Sequence, residues 1–377
     1  MRTKPPLPTA LLQAVALLLT ATPRSSNAAW PPEPLCPSRL TVMTWNLYFG
    51  FDERPLLGAA PEQIPGLVDQ AWQAVHDTDF RIRARDIAKR IVETGPDLVA
   101  LQEAARYELL DVSSGSPEAV EVIDFVDILL SELEDVHGPY VLAAVSEETD
   151  VTLPNTSGQY VRLLDRQVIL AAAGRHGSPE LGISNPQNAS FTNLLTICLL
   201  TDPEDPEACL MPLTIKRGWA SVDVAGWNGG YRFVSAHLED VAPDSPPELQ
   251  QLQLAQAAEL LTVPLATPMR AILVGDFNSD AHASWPAYAY LTGAPPSGAD
   301  LTDVWPIARP KDPGLTWGHS PDLLNPFPTF TQRLDLVLLK GRFRVLDARL
   351  VGNRRGDRSP GGFWPSDHAG VVATLAP

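Results

Sequence analysis

The side chains best suited to chemistry in this chain sit where apolar runs end. The clearest case is Ala271-Ile272-Leu273-Val274, which leads into Gly275-Asp276-Phe277-Asn278. A short, β-rich apolar run bounded by glycine and a polar cluster reads as a buried strand. Asp276 and Asn278 then share one face at its C-terminal edge. A carboxylate and a carboxamide held there can grip a hard cation, a phosphate or an activated water. Asp and Asn also form turns by bonding their own backbone, so the turn by itself leaves both readings open.

Further stretches repeat the pattern. Asn46 ends Thr41-Val42-Met43-Thr44-Trp45, Glu103 ends Asp97-Leu98-Val99-Ala100-Leu101-Gln102, and His237 ends Tyr231-Arg232-Phe233-Val234-Ser235-Ala236. Ser366-Asp367-His368 immediately precedes a final apolar run. Polar residues gather at strand ends to make turns as well. Asp335, inside Arg333-Leu334-Asp335-Leu336-Val337-Leu338-Leu339, is harder to dismiss. A carboxylate within an apolar run must find a partner or shift its pKa. A histidine would serve, and His368 is the candidate.

The elements that must position these groups alternate along the chain. Arg81 to Thr94 sets Ile82, Ile87 and Ile91 among charges and stops at Gly95-Pro96, so a helix is predicted. Ala119 to Leu133 is predicted as a second helix, followed by strands at Tyr140 to Val145 and Gln167 to Ala173. Ser221 to Ala225 and Tyr231 to His237 alternate about Gly229-Gly230, a hairpin pattern. Ser245 to Leu261 opens on Ser-Pro-Pro-Glu and continues as an amphipathic helix. Arg333 to Leu339 and Ala369 to Leu375 are late strands. Many strands with helices between them imply two packed sheets covered by helices.

The first residues read differently. Met1-Arg2-Thr3-Lys4, an apolar stretch from Ala10 to Thr22, and Ser26-Asn27-Ala28-Ala29 have the layout of a cleaved secretory signal over residues 1–28. A proline-rich lead, 29–37, follows, and 38–377 reads as one domain. Cleavage after Ala28 would remove Arg2, Lys4 and Arg24 and no acid, leaving 25 basic against 45 acidic residues, a net charge of −20. That balance repels polyanions at long range and argues against a basic nucleic-acid-binding surface. A bound divalent metal can invert the local field, so phosphodiesters stay within reach. Cys198 and Cys209 flank Thr201-Asp202-Pro203-Glu204-Asp205-Pro206, where a bridge would clamp adjacent strands, and Cys36 is left over; spacing alone leaves bridged and free thiols equally open. No cysteine has the spacing of a thiolate zinc site.

The ordered set Trp45-Asn46, Gln102-Glu103, Ser235-Ala236-His237-Leu238, Gly275-Asp276-Phe277-Asn278, Arg333-Leu334-Asp335 and Ser366-Asp367-His368 resembles the endonuclease/exonuclease/phosphatase superfamily. The resemblance covers roughly residues 38 to 377. It implies an α+β fold, a four-layer α/β sandwich in which two mixed, mainly antiparallel central sheets are flanked by helices. It implies Glu103 as the main magnesium ligand with Asn46 nearby and Asp367 joining the shell, Mn2+ or Ca2+ being the alternatives to Mg2+. Asp276 and Asn278 would orient the attacking water and the phosphate, and His237 would stabilise the transition state. His368, held in its tautomer by Asp335, would act as general base or phosphate contact. Imidazole titrates near neutrality and suits that work.

Some positions depart from the pattern. Tyr48 stands where many nuclease members have an acid, and Ala171-Ala172-Ala173 replaces a common Ser-Arg pair. Arg217 is a candidate phosphate contact or a solvated hairpin-edge residue. His137, His282 and His319 have no motif around them and read as surface residues.

The expectation is therefore a secreted, monomeric, metal-dependent phosphoesterase. Its charge and lack of basic runs favour a phospholipid or small phosphoester, with a sequence-nonspecific secreted endonuclease acting on nucleic acid as the alternative. A non-catalytic binding protein on the same scaffold is the remote reading. Trp305, Trp317, Phe327, Phe330, Phe363 and Trp364 would either meet a membrane surface transiently or pack loops down, the second being favoured.

Overall fold

The first strand, Leu40–Asn46, shows how the layers are built. With a period of two, Met43 and Trp45 face a helical layer while Leu40 and Val42 face a second sheet. The computed structural model describes residues 39–57, 59–174, 181–201, 205, 208–226, 229–242, 244–293 and 298–377. The signal segment, the proline-rich lead and Cys36 lie outside the described residues.

The first sheet runs in the order Arg344–Val351, Gly370–Ala376, Leu40–Asn46, Leu98–Gln102, Tyr160–Ala172, Arg106–Asp111 and Glu118–Asp124, with Tyr140–Pro154 also paired to Tyr160–Ala172. The second runs Thr302–Asp303, Asp335–Lys340, Arg270–Asp276, Tyr231–His237, Gly218–Val224 and Ile183–Ser190. Each holds a central parallel pair, Leu40–Asn46 with Leu98–Gln102 and Tyr231–His237 with Arg270–Asp276, among antiparallel neighbours.

Val42, Ala100 and Ile169 meet Val222, Phe233 and Val274 between the sheets. Ile87, Ile91 and Leu129, from the helices Phe80–Thr94 and Phe125–Asp135, cover the outer face of the first sheet. Leu260 and Leu291, from Pro247–Thr262 and Pro286–Thr292, cover the second. The expected α+β, four-layer arrangement of two mixed sheets flanked by helices is the observed one. Among the described residues no helix is long and apolar enough to cross a membrane.

The predicted helix at Ala119 to Leu133 is a correction. Glu118–Asp124 is a strand paired to Arg106–Asp111, and only Phe125–Asp135 is helical. Asp124 sets the break, because its carboxylate accepts from the backbone N–H groups of Val126 and Asp127 and caps the helix there. The Ser245 hydroxyl accepts from Ala242 N and does not cap the helix that follows it.

A small separate hairpin, Leu195–Thr201 with Cys209–Ile215, carries the Cys198–Cys209 disulfide across its two strands. Of the aromatic loop residues, Trp305 and Trp364 are buried and Phe327 is 62% exposed, so the loops are largely packed down.

Candidate active site

Strand register gathers the polar residues. His237 pairs with Asp276 across the parallel ladder, and Asp276 pairs with Asp335 across the antiparallel one, so three neighbouring strands end on one polar row. Opposite them, Asn46 and Glu103 sit at the C-terminal ends of the parallel pair in the first sheet. A buried polar ladder ties the two sheets just below: Thr44 Oγ1 donates to Gln102, Gln102 Nε2 to Ser235 Oγ at 3.0 Å, and Ser235 Oγ to Gln167 at 3.0 Å. Buried polar groups satisfied by one another in this way fix a unique alignment.

The backbone turns sharply where each group leaves its strand. Tyr48, Glu103 and Asn278 all have left-handed φ, at 63°, 53° and 45°. Gly275, φ 142°, has no room for a side chain, because a Cβ there would fall 1.8 Å from the Ala236 carbonyl oxygen. Such conformations persist only where the surroundings enforce them, and they cluster at working sites.

Asn46 joins the two halves. Its Nδ2 donates to Glu103 Oε1 at 2.9 Å and to Asp276 Oδ2 at 3.0 Å, while its Oδ1 accepts from Tyr48 N at 2.9 Å. In this arrangement it clamps the carboxylates and turns its oxygen away from them. The Phe49 N–H holds the other Glu103 oxygen at 2.8 Å. Trp317 Nε1 donates to Asp367 at 3.1 Å.

His368 Nδ1 lies 2.8 Å from Asp335 Oδ2, which accepts its proton in a hydrogen bond. Nε2 therefore faces the pocket, 3.7 Å from Asp276 Oδ2. Burial alone would lower the His368 pKa, but Asp335, Asp367 and Asp276 outweigh it and hold the imidazole well above its ordinary value. Burial pushes the Asp335 carboxyl up to about 6 against the pull of His368.

His237 is the opposite case. Burial, then Arg217, then His368 depress its pKa well below the ordinary value. Arg217 Nη1 reaches its Nδ1 at 3.1 Å, and an arginine can only donate. The shorter Arg217 contact makes Nδ1 the acceptor and leaves the proton of the neutral ring on Nε2, which lies 3.7 Å from Asp276 Oδ2 and 3.3 Å from Asn278 Nδ2. The Asn278 amide donates to the Leu238 carbonyl at 3.0 Å, and its backbone N–H to Asp276 Oδ1 at 2.9 Å.

All nine candidate residues thus lie in one region. Arg217 is buried, not solvated at a hairpin edge, and lies among Glu148, Asp165 and Glu239. His319, read from sequence as a surface residue, is only 6% exposed and lines the pocket beside His368. Trp364 stacks on it with ring centroids 4.2 Å apart, and Asn325 Nδ2 donates to its Nδ1 at 3.0 Å, which puts the proton on Nε2. The lone turn chemistry around it gave no sequence signal.

Arg83 was also missed. It is wholly buried, and its guanidinium donates to the carbonyls of Thr78, Leu47, Tyr48 and Pro365. It thereby staples the loop after Asn46 to the loop before Asp367. Burial lowers its pKa to about 10. The available signal is its place four residues before Ile87, on the helix's apolar stripe.

The donor set fits a hard divalent cation. Glu103, Asp276 and Asp367 present carboxylate oxygens to one pocket of about 320 Å3, together with His368 and Asn278. Burial and then the Asp367 charge push the Glu103 carboxyl well above its ordinary range, a repulsion that a cation would relieve.

A model of the Endonuclease/Exonuclease/phosphatase family matches residues 43–368. No curated protein matches the chain. Among solved structures, an endonuclease/exonuclease/phosphatase family protein from Leptotrichia buccalis is 16% identical, with a TM-score of 0.54, covering 90% of this chain and all of that one. D. rerio TDP2 complexed with a single-strand DNA product is 18% identical, with a TM-score of 0.49, covering 90% of this chain and 100% of that one. The human Nocturnin catalytic domain with bound sulfate is 15% identical, with a TM-score of 0.49, covering 90% and 94%. With its layered fold and its clustered carboxylates and histidines matched over most of its length, the chain belongs to the endonuclease/exonuclease/phosphatase family and is a metal-dependent phosphoester hydrolase.

Proposed function

We propose that this protein is an exported enzyme that hydrolyses a phospholipid or a small phosphoester by attack of activated water. The observation that carries the substrate reading is the charge at the rim of the phosphate pocket. Asp52, Asp240 and Glu53, the last pushed up to about 7 by burial, line it. Of the two arginines in its lining among the described residues, Arg54 is held by Asp52 at 2.7 and 2.8 Å and Arg217 is buried among acids. Such a rim repels the flanking phosphates of a nucleic-acid strand and leaves an isolated phosphoester unopposed. The export reading rests on the N-terminal sequence alone.

Each side chain has a task in this reading. Asp276 and Asn278 orient the attacking water, and Asp276 Oδ2, with an imidazole Nε2 on either side, is placed to accept its proton. His237, proton on Nε2, donates to the phosphoryl oxygen as charge grows there. His368 faces the same space and steadies the developing charge or exchanges a proton, with Asp335 fixing its tautomer. Arg217 fixes the tautomer of His237 in turn. His319 offers a further N–H donor to a phosphoryl oxygen. Magnesium held by Glu103 and Asp367 would supply Lewis-acid neutralisation of the phosphoryl charge.

The test is a magnesium-dependent activity panel of sphingomyelin, phosphatidylinositol phosphates, a generic aryl phosphodiester, DNA and RNA. Turnover of lipid or aryl esters, with supercoiled DNA left intact at the same enzyme concentration, is expected. Preferential nicking of the DNA would replace this reading with that of a sequence-nonspecific nuclease.

A further inference from the structure

Next to the phosphate pocket lies a second cavity of about 200 Å3, walled mainly by hydrocarbon but with Thr149, Asp165 and Glu239 also in its lining. Leu153 and Leu163 contribute from the first sheet, Leu199 and Leu213 from the disulfide-linked hairpin, and Leu249 from the Pro247–Thr262 helix. Three residues, Glu53, Arg217 and Asp240, line both this cavity and the phosphate pocket, so the two spaces meet at that polar seam. Protein interiors are packed like crystals, and an apolar void of this size is costly to leave unfilled. Its leucine walls offer water no hydrogen bonds, so water gains only at the polar end, where Asp165, Arg217 and Glu239 have buried atoms without a hydrogen-bond partner. A leucine- and phenylalanine-lined cavity of about 150 Å3 stays dry and takes up a six-carbon ring. This one therefore suits a hydrocarbon group of about six to eight carbons.

We propose that the cavity receives the aliphatic chain of the substrate, with the scissile phosphate on the other side of the Glu53–Arg217–Asp240 seam. The proposal rests on the reading of the adjoining site as a phosphoesterase and narrows its substrate to esters that carry an alkyl or acyl chain. Charge points the same way. Among the described residues of the seam and the rim, Arg54 is paired with Asp52 and Arg217 with Asp165 and Glu239, so a second phosphate finds no uncommitted cation there. A neutral chain meets no such penalty. The hairpin that forms one wall is a separate two-stranded unit pinned by the Cys198–Cys209 bridge, which keeps that wall in place without a sheet behind it.

The experiment uses the full chain with magnesium and a series of p-nitrophenyl alkyl phosphodiesters from methyl to octyl. The proposal expects kcat/KM to rise about three- to fourfold per added methylene until the cavity is filled. The gain should appear in KM, because the chain is bound equally in ground and transition states. Leu199→Trp, which fills the cavity, should flatten the series while methyl-ester turnover stays as in the parent protein. Leu213→Phe is the milder version should the tryptophan impair folding. A flat series in the parent protein overturns the proposal. So does a length dependence that survives in a folded, filled variant, since the chain would then lie elsewhere. Should no ester be hydrolysed, the hydrolase reading falls. Calorimetry with octyl phosphate against methyl phosphate still tests the cavity in that case, tighter binding of octyl phosphate supporting it and equal binding overturning it.

Discussion

Arg217 Nη1 lies 3.1 Å from His237 Nδ1, closer than the 3.3 Å between the Asn278 amide nitrogen and Nε2, so Nδ1 is the acceptor and the proton of this buried imidazole sits on Nε2. The same guanidinium is the counter-charge for Glu148, Asp165 and Glu239, whose carboxyls burial drives upward, Asp165 to about 6. Arg217→Met should cost about 3–5 kcal/mol, the usual penalty for stranding buried charge. Its pH dependence has a fixed sign. Acids whose folded pKa is raised hold protons longer in the folded state, so stability falls as pH rises from about 4, and it falls further without the arginine. Thermal melts at pH 5 and pH 8 should show the gap between parent and variant widening at pH 8. A gap that narrows would contradict this account.

Asp335 acts on the reaction only through His368. Asp335→Asn keeps the shape of the pair but lets the amide present a donor to Nδ1, which favours the wrong tautomer. Turnover of an aryl phosphodiester should drop by about 10²–10⁴-fold in kcat, as for loss of a positioned acid or base, with little change in KM. His368→Ala should fall at least as far. Full activity in either variant would remove the pair from the mechanism.

Chelation should abolish turnover, and added magnesium should restore it. Glu103→Gln keeps the size but removes the charge, and it can accept from only one of the two donors, Asn46 Nδ2 or the Phe49 N–H. The magnesium concentration for half-maximal activity should rise by roughly 10–100-fold, a span that changes at metal sites commonly produce. An unchanged metal titration would assign the ion to other residues.

Gly275→Ala tests the turn itself. A Cβ would meet the Ala236 carbonyl at 1.8 Å, so the strand must shift and Asp276 with it. Loss of several kcal/mol, at the severe end of single substitutions, is expected in denaturant melts, with activity lost even in the folded fraction.

Arg83 bonds four carbonyls through the fork of its guanidinium, and no carboxylate pairs with it in any of those bonds. Arg83→Lys should therefore lower the melting temperature and activity together, because an ammonium cannot span the loops at Leu47, Tyr48 and Pro365. Wild-type behaviour would show that another group holds those loops.

The sequence carried the layers and much of the site for one reason. The strands that end on Asn46, Glu103, His237 and Asp276 are buried on both faces, so their polar ends stand out against unbroken apolar runs. Asp335 stood out by the same contrast. Residues whose importance comes from distant partners gave no such contrast. His319 became a pocket residue only when Trp364 stacked over it, and Arg83 looks like any charge in a charged helix until its four carbonyls arrive. Ala119 to Leu133 failed differently: Val120 and Val122 favour a strand, but the apolar spacing after Phe125 extended a helical reading backward across Asp124. The cap there was the missed signal.

The first strand of the sandwich pairs with the last, Leu40 opposite Leu375 and Thr44 opposite Val371. Asn46 and His368 therefore come together only after more than three hundred intervening residues have been threaded into place. The pairing that completes the site is thus among the longest-range in the fold, and contacts of such sequence separation are slow to form, so the site is bound to the slow part of the topology.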